Sequence, residues 1–343
     1  MSKKNIFFIV VISIVSIGSL TTVLLLPKKV VLFRLSNKVE GQYLWGYIDK
    51  TGKEVIPPQF IDVYDFSDGI AAVQTDSGWG FIDVTGNFVI QPQYKGGYQF
   101  QEGLAGVSLD GHTWGYINRK GKFIIEPKFQ SASPFHNGLA EVRVDNKDGV
   151  INKKGQFVIA PQYTRLFLSD NSPFAAELND KWGYINYKDE VIIPFQFDWA
   201  YPFSEGLAQV QVDELYGYID RSGKMIIPPQ FESAQWFSEG LAAVKKGEVF
   251  GYINQKGEWI IKLQFKFAAP FSEGMATVGN STSEFGYIDS TGKIIVAPQY
   301  ELAGSFSNGL AVLYMFRDRK MCYIDKKGTI IKCGEWAPEL FRG

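Results

Sequence analysis

Trp45-Gly46-Tyr47-Ile48-Asp49 opens a stretch of sequence that recurs, with small variations, almost to the C-terminus. The stretch restarts at eight further positions, which are Trp79, Trp114, Asp148, Trp182, Tyr216, Phe250, Phe285 and Met321. Successive restarts are 34, 35, 34, 34, 34, 34, 35 and 36 residues apart. A fixed period of this length predicts one small supersecondary unit stacked many times. We therefore expect a residue that every unit contains to build the unit, and function to depend on residues that differ between units.

Each unit begins with a predicted β-hairpin. In the first unit, Asp49 and Gly52 hold the first and fourth positions of a loop that fits a type I turn followed by a left-handed residue. The other units carry Asp or Asn and Gly at these positions, except that Asp189 replaces the Gly of the fifth. A three-residue loop of this kind pairs Tyr47 with Val55. We interpret the recurring Asp and Asn residues as turn formers, and not as metal ligands or catalytic acids.

A third strand follows each hairpin after a turn-rich connector. It reads Ile70-Ala71-Ala72-Val73 in the first unit, and Ala recurs at its second position, with Ala176 assigned to that position in the fourth unit. Because Ala is a poor strand former, its recurrence indicates steric crowding where units converge. The connector carries Pro58, which ends a strand, and the motif Phe66-x-x-Gly69, which supplies a buried ring and a tight turn.

The ends of the array complete the architecture. Residues 30–34 are similar to a lone third-type strand, and the last hairpin has no third strand after it. The sequence therefore predicts an all-β chain, a tandem array of about nine three-stranded repeats of roughly 34 residues. A closed, propeller-like ring is favoured because the crowded Ala indicates a converging axis. An open β-solenoid, in which each unit packs only on its neighbours, is the alternative.

The repeated unit resembles the bacterial WG-repeat family, also described as WG containing repeat or KWG-like. The resemblance rests on Trp-Gly-Tyr-Ile-(Asp/Asn)-x-x-Gly, on the Ile-x-Pro-x-(Phe/Tyr) that follows, and on Phe-Ser-(Glu/Asp)-Gly-Leu-Ala-x-Val; it covers roughly residues 43–333. The fourth unit departs from it with Asp148-Gly149-Val150. The resemblance implies a repeat scaffold, often in surface or exported bacterial proteins, and it implies no catalytic residue.

The N-terminus has a different composition from the repeats. Lys3 and Lys4 precede an uncharged apolar run at residues 6–26, which is long enough to cross a bilayer as a helix. We predict an uncleaved transmembrane signal anchor with the repeat domain outside the cytoplasm; secretion after signal cleavage is the alternative. The predicted segments are a tail (1–5), the anchor (6–26), a linker with the first strand (27–42), the WG-type repeat domain (43–334) and a C-terminal tail (335–343).

Two cysteines, Cys322 and Cys333, lie in the last hairpin of the 343-residue chain. An unbulged hairpin places Cys322 opposite Lys332, so Cys333 lies one residue out of register and free thiols are favoured. A β-bulge would permit a disulfide between them, which an exported protein could form. Their spacing does not resemble a zinc site.

Sequence features that could support catalysis are few. The two histidines, His112 and His136, fall in predicted loops, and no nucleophile motif or phosphate loop is found. We predict no cofactor, no bound metal and no enzyme activity. Acidic residues recur at one turn position, which holds Asp68, Glu102, Glu205, Glu239 and Glu273. A solvated rim explains them, although a closed ring could make them a cation-binding ring or the carboxylates of a hydrolase.

The binding candidates are aromatic and arginine residues that do not recur between units. These are Trp199, Tyr201, Trp236, Arg143, Arg165, Arg317, Arg319 and Trp336. Exposed Trp, Tyr and Arg form strong contact points, although Trp199 and Trp236 could instead fill gaps in the core. With a net charge of -1 and no basic block, nucleic acid is not expected as a partner. The sequence thus predicts a membrane-tethered, exported, noncatalytic scaffold for a protein partner. A module for cell-wall or other glycans is the alternative, and a rim-carboxylate hydrolase comes third.

Overall fold

In a computed structural model of the chain, the structure describes residues 30–169, 173–281 and 283–336. All regular elements in these ranges are β-strands, and all belong to the compact unit that begins at Leu32. Within this part of the chain, no helix has the length and apolar character needed to cross a bilayer. The predicted anchor at residues 6–26 lies outside the described residues.

The strands form separate antiparallel sheets, which we call blades, and the described residues contain nine of them. Blade 1 contains β1 (Phe33–Val39), β2 (Gln42–Ile48) and β3 (Glu54–Phe60). Blades 2 to 5 contain β4 (Asp62–Val63), β5 (Ile70–Thr75), β6 (Gly78–Asp83) and β7 (Phe88–Tyr94); β8 (Gly96–Gly97), β9 (Leu104–Ser108), β10 (Trp114–Asn118) and β11 (Phe123–Phe129); β12 (Ser131–Ala132), β13 (Leu139–Val144), β14 (Lys147–Asn152) and β15 (Phe157–Tyr163); and β16 (Arg165–Phe167), β17 (Phe174–Leu178), β18 (Lys181–Ile185) and β19 (Val191–Phe197). Blades 6 to 9 contain β20 (Trp199–Ala200), β21 (Leu207–Val212), β22 (Leu215–Asp220) and β23 (Met225–Phe231); β24 (Ser233–Ala234), β25 (Leu241–Lys246), β26 (Val249–Asn254) and β27 (Trp259–Phe265); β28 (Phe267–Ala268), β29 (Met275–Gly279), β30 (Phe285–Asp289) and β31 (Ile294–Tyr300); and β32 (Leu302–Ala303), β33 (Leu310–Met315), β34 (Lys320–Asp325) and β35 (Ile330–Glu335).

Most blades have four strands, so the predicted three-stranded unit was wrong in this respect. The additional strand is only two or three residues long: in blade 2, Asp62 pairs with Gln74 and Val63 with Val73. Two residues are too few for an alternating pattern, and so this strand could not be predicted from the sequence. From here on, connector means only the segment between this short strand and the next strand of the blade, which is residues 64–69 in blade 2. Pro58 lies within β3 and does not end that strand.

The sequence repeat and the blade are out of phase. The hairpin that starts at Trp45 supplies β2 and β3 of blade 1, and the rest of the same repeat supplies β4 and β5 of blade 2. Every blade beyond the first therefore combines residues from two consecutive repeats. A single repeat contains no complete blade.

The hairpin register also differs from the prediction. Tyr47 pairs with Ile56 and not with Val55, because Val55 forms a β-bulge. Val55 is consequently 38% exposed while Ile56 is 1% exposed. A second bulge, also in the second strand of the hairpin, brings the backbone at the proline close to the glycine of the Trp-Gly pair. In blade 2, a Cβ at Gly80 would lie 2.8 Å from the backbone nitrogen of Pro92. This close approach is the physical reason for the glycine.

The blades form a closed ring, as in a β-propeller. The tyrosine of one blade donates its hydroxyl to a connector carbonyl of the next, for example Tyr218 to Gln235 at 2.7 Å. Tyr323 of blade 9 makes the corresponding bond to the carbonyl of Arg34 in blade 1, at 2.8 Å and across 289 residues. Glu335 N donates to Asn37 Oδ1 at 3.0 Å beside it. The ring prediction is confirmed, and the open solenoid is excluded.

The Ala position of the third strand is buried, as in Ala71 and Ala242, both 0% exposed. In blade 5, however, the pairing of Phe174 with Ile185 matches that of Ala71 with Ile82, so Phe174 holds this position. The assignment of Ala176 to it was wrong. Phe174 packs in one core cluster with Val150, which replaces the tyrosine of the preceding blade. Blade 5 thus carries an aromatic ring on β17, at the position that Ala71 holds in blade 2.

Candidate functional site

The recurring acidic side chains bind the turns of successive blades to each other. Asp68 Oδ2 accepts the N–H of Gly103 at 2.8 Å, and Glu239 Oε2 accepts that of Gly274 at 2.8 Å. Glu102 accepts a hydrogen bond from Lys153, whose ammonium lies 2.8 Å away, and this bond holds the pKa of the Glu102 carboxyl below its usual range. Within the described residues, no group of three potential metal ligands is found. These carboxylates stabilise the ring.

The hairpin-turn acids also have a local role. Asp49 Oδ1 accepts the backbone N–H groups of Thr51 and Lys53 at 2.8 and 3.1 Å, together with the hydroxyl of Thr51 at 2.6 Å. These bonds lower the pKa of Asp49, the hydroxyl bond contributing most. His112 and His136 are exposed, the first in the loop before β10 and the second in the turn before β13.

Side chains that differ between blades meet at the blade junctions. At two junctions, the variable residue of Gly-Leu-Ala-x-Val contacts the backbone of the next blade. Arg34 donates to the carbonyl of Val63 at 3.3 Å, and Glu141 accepts from the N–H of Leu168 at 2.6 Å. Part of the nonrepeating chemistry of the chain therefore lies at these junctions.

One group of side chains, which we call the Arg165 patch, lies at the junction of blades 5 and 6 and consists of Arg165, Phe167, Trp199 and Tyr201. Arg165 and Trp199 hold a position that varies between blades, whereas Phe167 and Tyr201 hold the aromatic position of Tyr64 and Tyr98. The guanidinium of Arg165 lies 5.1 Å from the ring centre of Trp199, in cation–π range. The ring of Trp199 lies 6.0 Å from that of Tyr201. Buried Trp182 supports the patch from beneath, with ring distances of 5.1 Å to Phe167 and 5.0 Å to Trp199.

Two polar atoms of this region lack hydrogen-bond partners among the described residues. They are Nε1 of Trp199 and Oε2 of Glu177, and both are buried. Nε of Arg165 lies 3.8 Å from that same Glu177 oxygen, too far for a hydrogen bond. The indole N–H of Trp199 therefore lacks a hydrogen-bond partner, and this oxygen of Glu177 has an ion pair with Arg165 in place of a hydrogen bond.

A second feature is a cleft of about 420 Å³ in blade 4, which we call the blade 4 cleft. Its lining side chains are Tyr98, Ser131, Ala132, Ser133, Pro134, Glu141, Val142, Arg143 and Asp148. Arg143 Nε donates to Asp148 Oδ1 at 2.7 Å, and Asp148 Oδ2 accepts the N–H of Leu166 at 3.2 Å. Burial raises the pKa of Glu141 to about 7, and the charge of Asp148 acts in the same direction.

Sequence reasoning identified Arg143 in this cleft but missed Glu141, Asp148 and Tyr98. Asp148 was noted only as a departure from the repeat. The available signal was the type of substitution, because a carboxylate stands where the other repeats carry an aromatic ring or methionine.

The other predicted binding residues are dispersed. Trp236 is 48% exposed in the connector of blade 7, and Arg317 extends into solvent with its guanidinium 3.2 Å from Glu301. Arg319 lies in the turn before β34, where its carbonyl accepts the N–H of Trp336. Trp336 itself is 1% exposed and packs on Tyr314. The prediction that Trp336 is a surface binding residue was therefore wrong. Its ring is buried against the last blade, at the end of the array.

Cys322 and Cys333 form a disulfide. The bulge of the last hairpin pairs Tyr323 with Lys332, which brings Cys322 opposite Cys333. The predicted pairing of Cys322 with Lys332 was wrong because it omitted this bulge.

Comparison with known proteins identifies the family of the repeat. The chain matches the family model described as WG containing repeat at residues 45–78, 79–111, 114–147, 149–182, 182–216, 216–249, 250–280 and 285–313. The chain belongs to this family. No curated protein matches the sequence of this WG-repeat chain.

Several solved structures are similar in fold to this WG-repeat chain. BamB from Moraxella catarrhalis is 10% identical, with a TM-score of 0.46 over 78% of this chain and 94% of that one. Hsv2p from Kluyveromyces lactis is 10% identical, with a TM-score of 0.43 over 69% and 97%. Apo AztD from Citrobacter koseri is 10% identical, with a TM-score of 0.42 over 90% and 96%. At this identity the likeness concerns the fold alone.

Proposed function

We propose that this WG-repeat protein is a noncatalytic scaffold that binds a protein partner through the Arg165 patch. The observation that carries the proposal is the cluster of Arg165, Trp199 and Tyr201 at one blade junction, where Arg165 and Trp199 hold a position that varies between blades. Arg, Trp and Tyr are the residue types that contribute most to binding free energy at protein interfaces. Buried Trp182 packs on Phe167 and Trp199 and holds the patch in place, which reduces the entropy lost on binding.

A noncatalytic role is supported by how the acidic side chains are used. The turn carboxylates that could have served a hydrolase accept backbone N–H groups, as Glu205 does from Glu239 and Gly240. A carboxylate held in this way stabilises a turn and is poorly placed to transfer protons to a substrate.

We also propose that the repeat domain lies outside the cytoplasm and is tethered by residues 6–26. The length and apolar composition of that segment suit a membrane-spanning helix. The disulfide between Cys322 and Cys333 suits an oxidising compartment. In intact cells, external protease should degrade the repeat domain of a protein tagged at its C-terminus, and alkaline extraction should leave the protein in the membrane fraction. If the repeat domain resists the protease in intact cells and is degraded only after lysis, the domain lies in the cytoplasm and the proposal is contradicted.

The binding proposal is tested with the full chain in its native membrane. Proteins crosslinked to the wild type are compared with those crosslinked to Trp199→Ala and Arg165→Ala. We expect both variants to lose the same small set of partners, with affinities for a purified partner reduced about tenfold or more. Trp259→Ala is the matched control, since Trp259 is a 40% exposed tryptophan on blade 7 outside the patch. Equal losses for Trp259→Ala and Trp199→Ala, or no loss in any variant, would contradict the proposal.

A further inference from the structure

The blade 4 cleft exists because two rings are missing from it. In blades 2, 3 and 5 the tryptophan that opens the repeat packs on an aromatic residue of its own blade, located where the short strand meets the connector. The ring distances are 5.4 Å for Trp79 and Tyr64, 4.7 Å for Trp114 and Tyr98, and 5.1 Å for Trp182 and Phe167. Blade 4 has Asp148 at the tryptophan position and Ser133 at the connector position. Both ring-sized side chains are replaced by small polar ones, and a cleft of about 420 Å³ takes their place.

The polar groups of the cleft are held in fixed positions. Asp148 is bound at one oxygen by Arg143 and at the other by the N–H of Leu166. Arg143 also donates to the carbonyl of Thr164 at 3.3 Å. The hydroxyl of Ser133 donates to the carbonyl of Glu141 at 3.0 Å. A ligand would therefore meet an ordered guanidinium and carboxylate, with little rotamer entropy left to lose.

One wall of the cleft is aromatic. Tyr98 comes from the connector of blade 3 and stacks on Trp114 with an interplanar angle of 20°. This stacking fixes the plane of the half-buried Tyr98 ring at the edge of the cleft. The cleft thus combines an oriented aromatic side chain with hydrogen-bonding groups that lie beside it.

The charge of the cleft indicates a neutral ligand. The charges of Arg143 and Asp148 compensate each other at 2.7 Å. Glu141, the remaining carboxyl of the lining, accepts the N–H of Leu168, and its pKa of about 7 means that it carries only about half a charge near pH 7. A strongly charged ligand would thus gain little net attraction here, whereas vicinal hydroxyls match the paired donors and acceptors of a guanidinium and a carboxylate.

We propose that the blade 4 cleft binds a neutral saccharide, with one sugar ring lying against Tyr98 and its hydroxyls hydrogen bonded to Arg143 and Asp148. The apolar C–H face of a sugar ring covers an aromatic ring, while its equatorial hydroxyls remain free for polar contacts. This site is separate from the protein-binding function proposed for the Arg165 patch, although Thr164 and Leu166 bring the two close together along the chain.

The probes for this proposal are neutral oligosaccharides, namely chitotetraose, cellotetraose and maltotetraose, titrated into the detergent-solubilised full chain. Binding is followed by isothermal titration calorimetry and by tryptophan fluorescence, since Trp114 is in contact with Tyr98. We expect saturable binding of at least one probe. Tyr98→Ala should weaken it about fivefold to tenfold, because the stacking surface is lost. Asp148→Trp restores the residue of the other repeats and should abolish binding by filling the cleft.

Control variants keep the outcome interpretable. Trp259→Ala removes an exposed tryptophan of blade 7 and should bind as the wild type does. Asp148→Asn keeps the shape of the side chain, and it serves in place of Asp148→Trp if that variant fails to give a cooperative thermal transition. The proposal is overturned if no probe binds saturably up to about 10 mM. Binding that Tyr98→Ala and the Asp148 variant leave unchanged, or binding of an aromatic peptide in the absence of sugar binding, overturns it as well.

Discussion

At the scale of single residues, one small side chain controls how closely the blades pack. Ala242 lies on β25 and is 0% exposed. Phe237 of the same blade packs on Tyr218 of the preceding blade, with ring centres 4.9 Å apart. Phenylalanine occupies the Ala position in blade 1, as Phe33, and in blade 5, as Phe174. Alanine on the strand and phenylalanine in the connector therefore fill one space between them.

Enlarging Ala242 should overpack this space. We expect Ala242→Leu to lower the free energy of unfolding by about 1–3 kcal/mol, measured by urea denaturation. The double variant Phe237→Ala with Ala242→Leu should recover part of the loss, because the connector ring is then absent. Ala160→Leu, at an exposed alanine, is the control and should change stability little. An unaltered denaturation midpoint in Ala242→Leu would show that this position is not crowded.

Glu141 should make stability fall as the pH rises. Its pKa is about 7 in the folded protein, above its ordinary value, because burial disfavours the carboxylate. Between about pH 4.5 and 7, the folded state binds more protons than the unfolded state, so this contribution is largest in acid and is lost as pH rises through the folded pKa. From pH 5 to pH 8, we expect wild type to lose on the order of 2 kcal/mol more than Glu141→Gln. Parallel pH dependence in the two proteins would contradict this assignment.

At the scale of elements, the blades are linked by a repeated tyrosine bond and shaped by a repeated bulge. Tyr47, Tyr116, Tyr184, Tyr218, Tyr252, Tyr287 and Tyr323 each donate to a backbone carbonyl of the neighbouring blade. The tyrosine side chains are buried, so these bonds fix the spacing of neighbouring sheets and satisfy one backbone carbonyl at each of these junctions.

Removing one of these hydroxyls should cost little packing but one hydrogen bond. Tyr218→Phe leaves the carbonyl of Gln235 without its donor at 2.7 Å. We expect the free energy of unfolding to fall by about 1–2 kcal/mol in a guanidinium titration. Tyr187→Phe provides the comparison, because Tyr187 is 54% exposed in a hairpin turn. If both variants lose the same amount, the buried bond contributes no specific stability.

The comparison of sequence with structure separates periodic features from local ones. The period, the hairpin turns and the ring were predictable because they recur and because turn residues such as Gly52 have few conformational alternatives. The bulge at Val55 and the strand Asp62–Val63 were not predictable, since a one-residue offset leaves no mark in an apolar run. At the candidate sites, Arg165 and Trp199 were identifiable because they are unlike their counterparts in the other repeats. Glu141 was overlooked, because its burial depends on a neighbouring blade.

At the scale of the whole molecule, the ring depends on how its two ends meet. β35 lacks the second bulge of the other blades. Cys333 therefore pairs with Cys322, and Gly334 pairs with Met321. This pairing brings Glu335 to Asn37 of β1. The disulfide therefore holds the strand that closes the ring.

Loss of the disulfide should weaken closure without changing the blades elsewhere. The cysteines are 11 residues apart, and a crosslink of this span contributes about 2–3 kcal/mol in the chain-entropy account. We expect Cys322→Ser with Cys333→Ser to lower the melting temperature and to increase hydrogen exchange in blades 1 and 9 first. Wild type treated with dithiothreitol should follow the double variant, and dithiothreitol should leave the double variant unaffected. Exchange that rises uniformly around the ring would contradict a local role in closure.

The offset between repeat and blade has a consequence for how this gene can evolve. A repeat duplicated by unequal recombination would divide one blade into two halves. Its hairpin would complete the first half and its other two strands would complete the second half, so the ring would gain one blade. The elements that close the circle, β1 and β35, lie at the two ends of the array and would be untouched. We therefore expect homologues to differ in circumference by whole repeats, with the contact between β1 and β35 preserved and most variation at the side chains of the blade junctions.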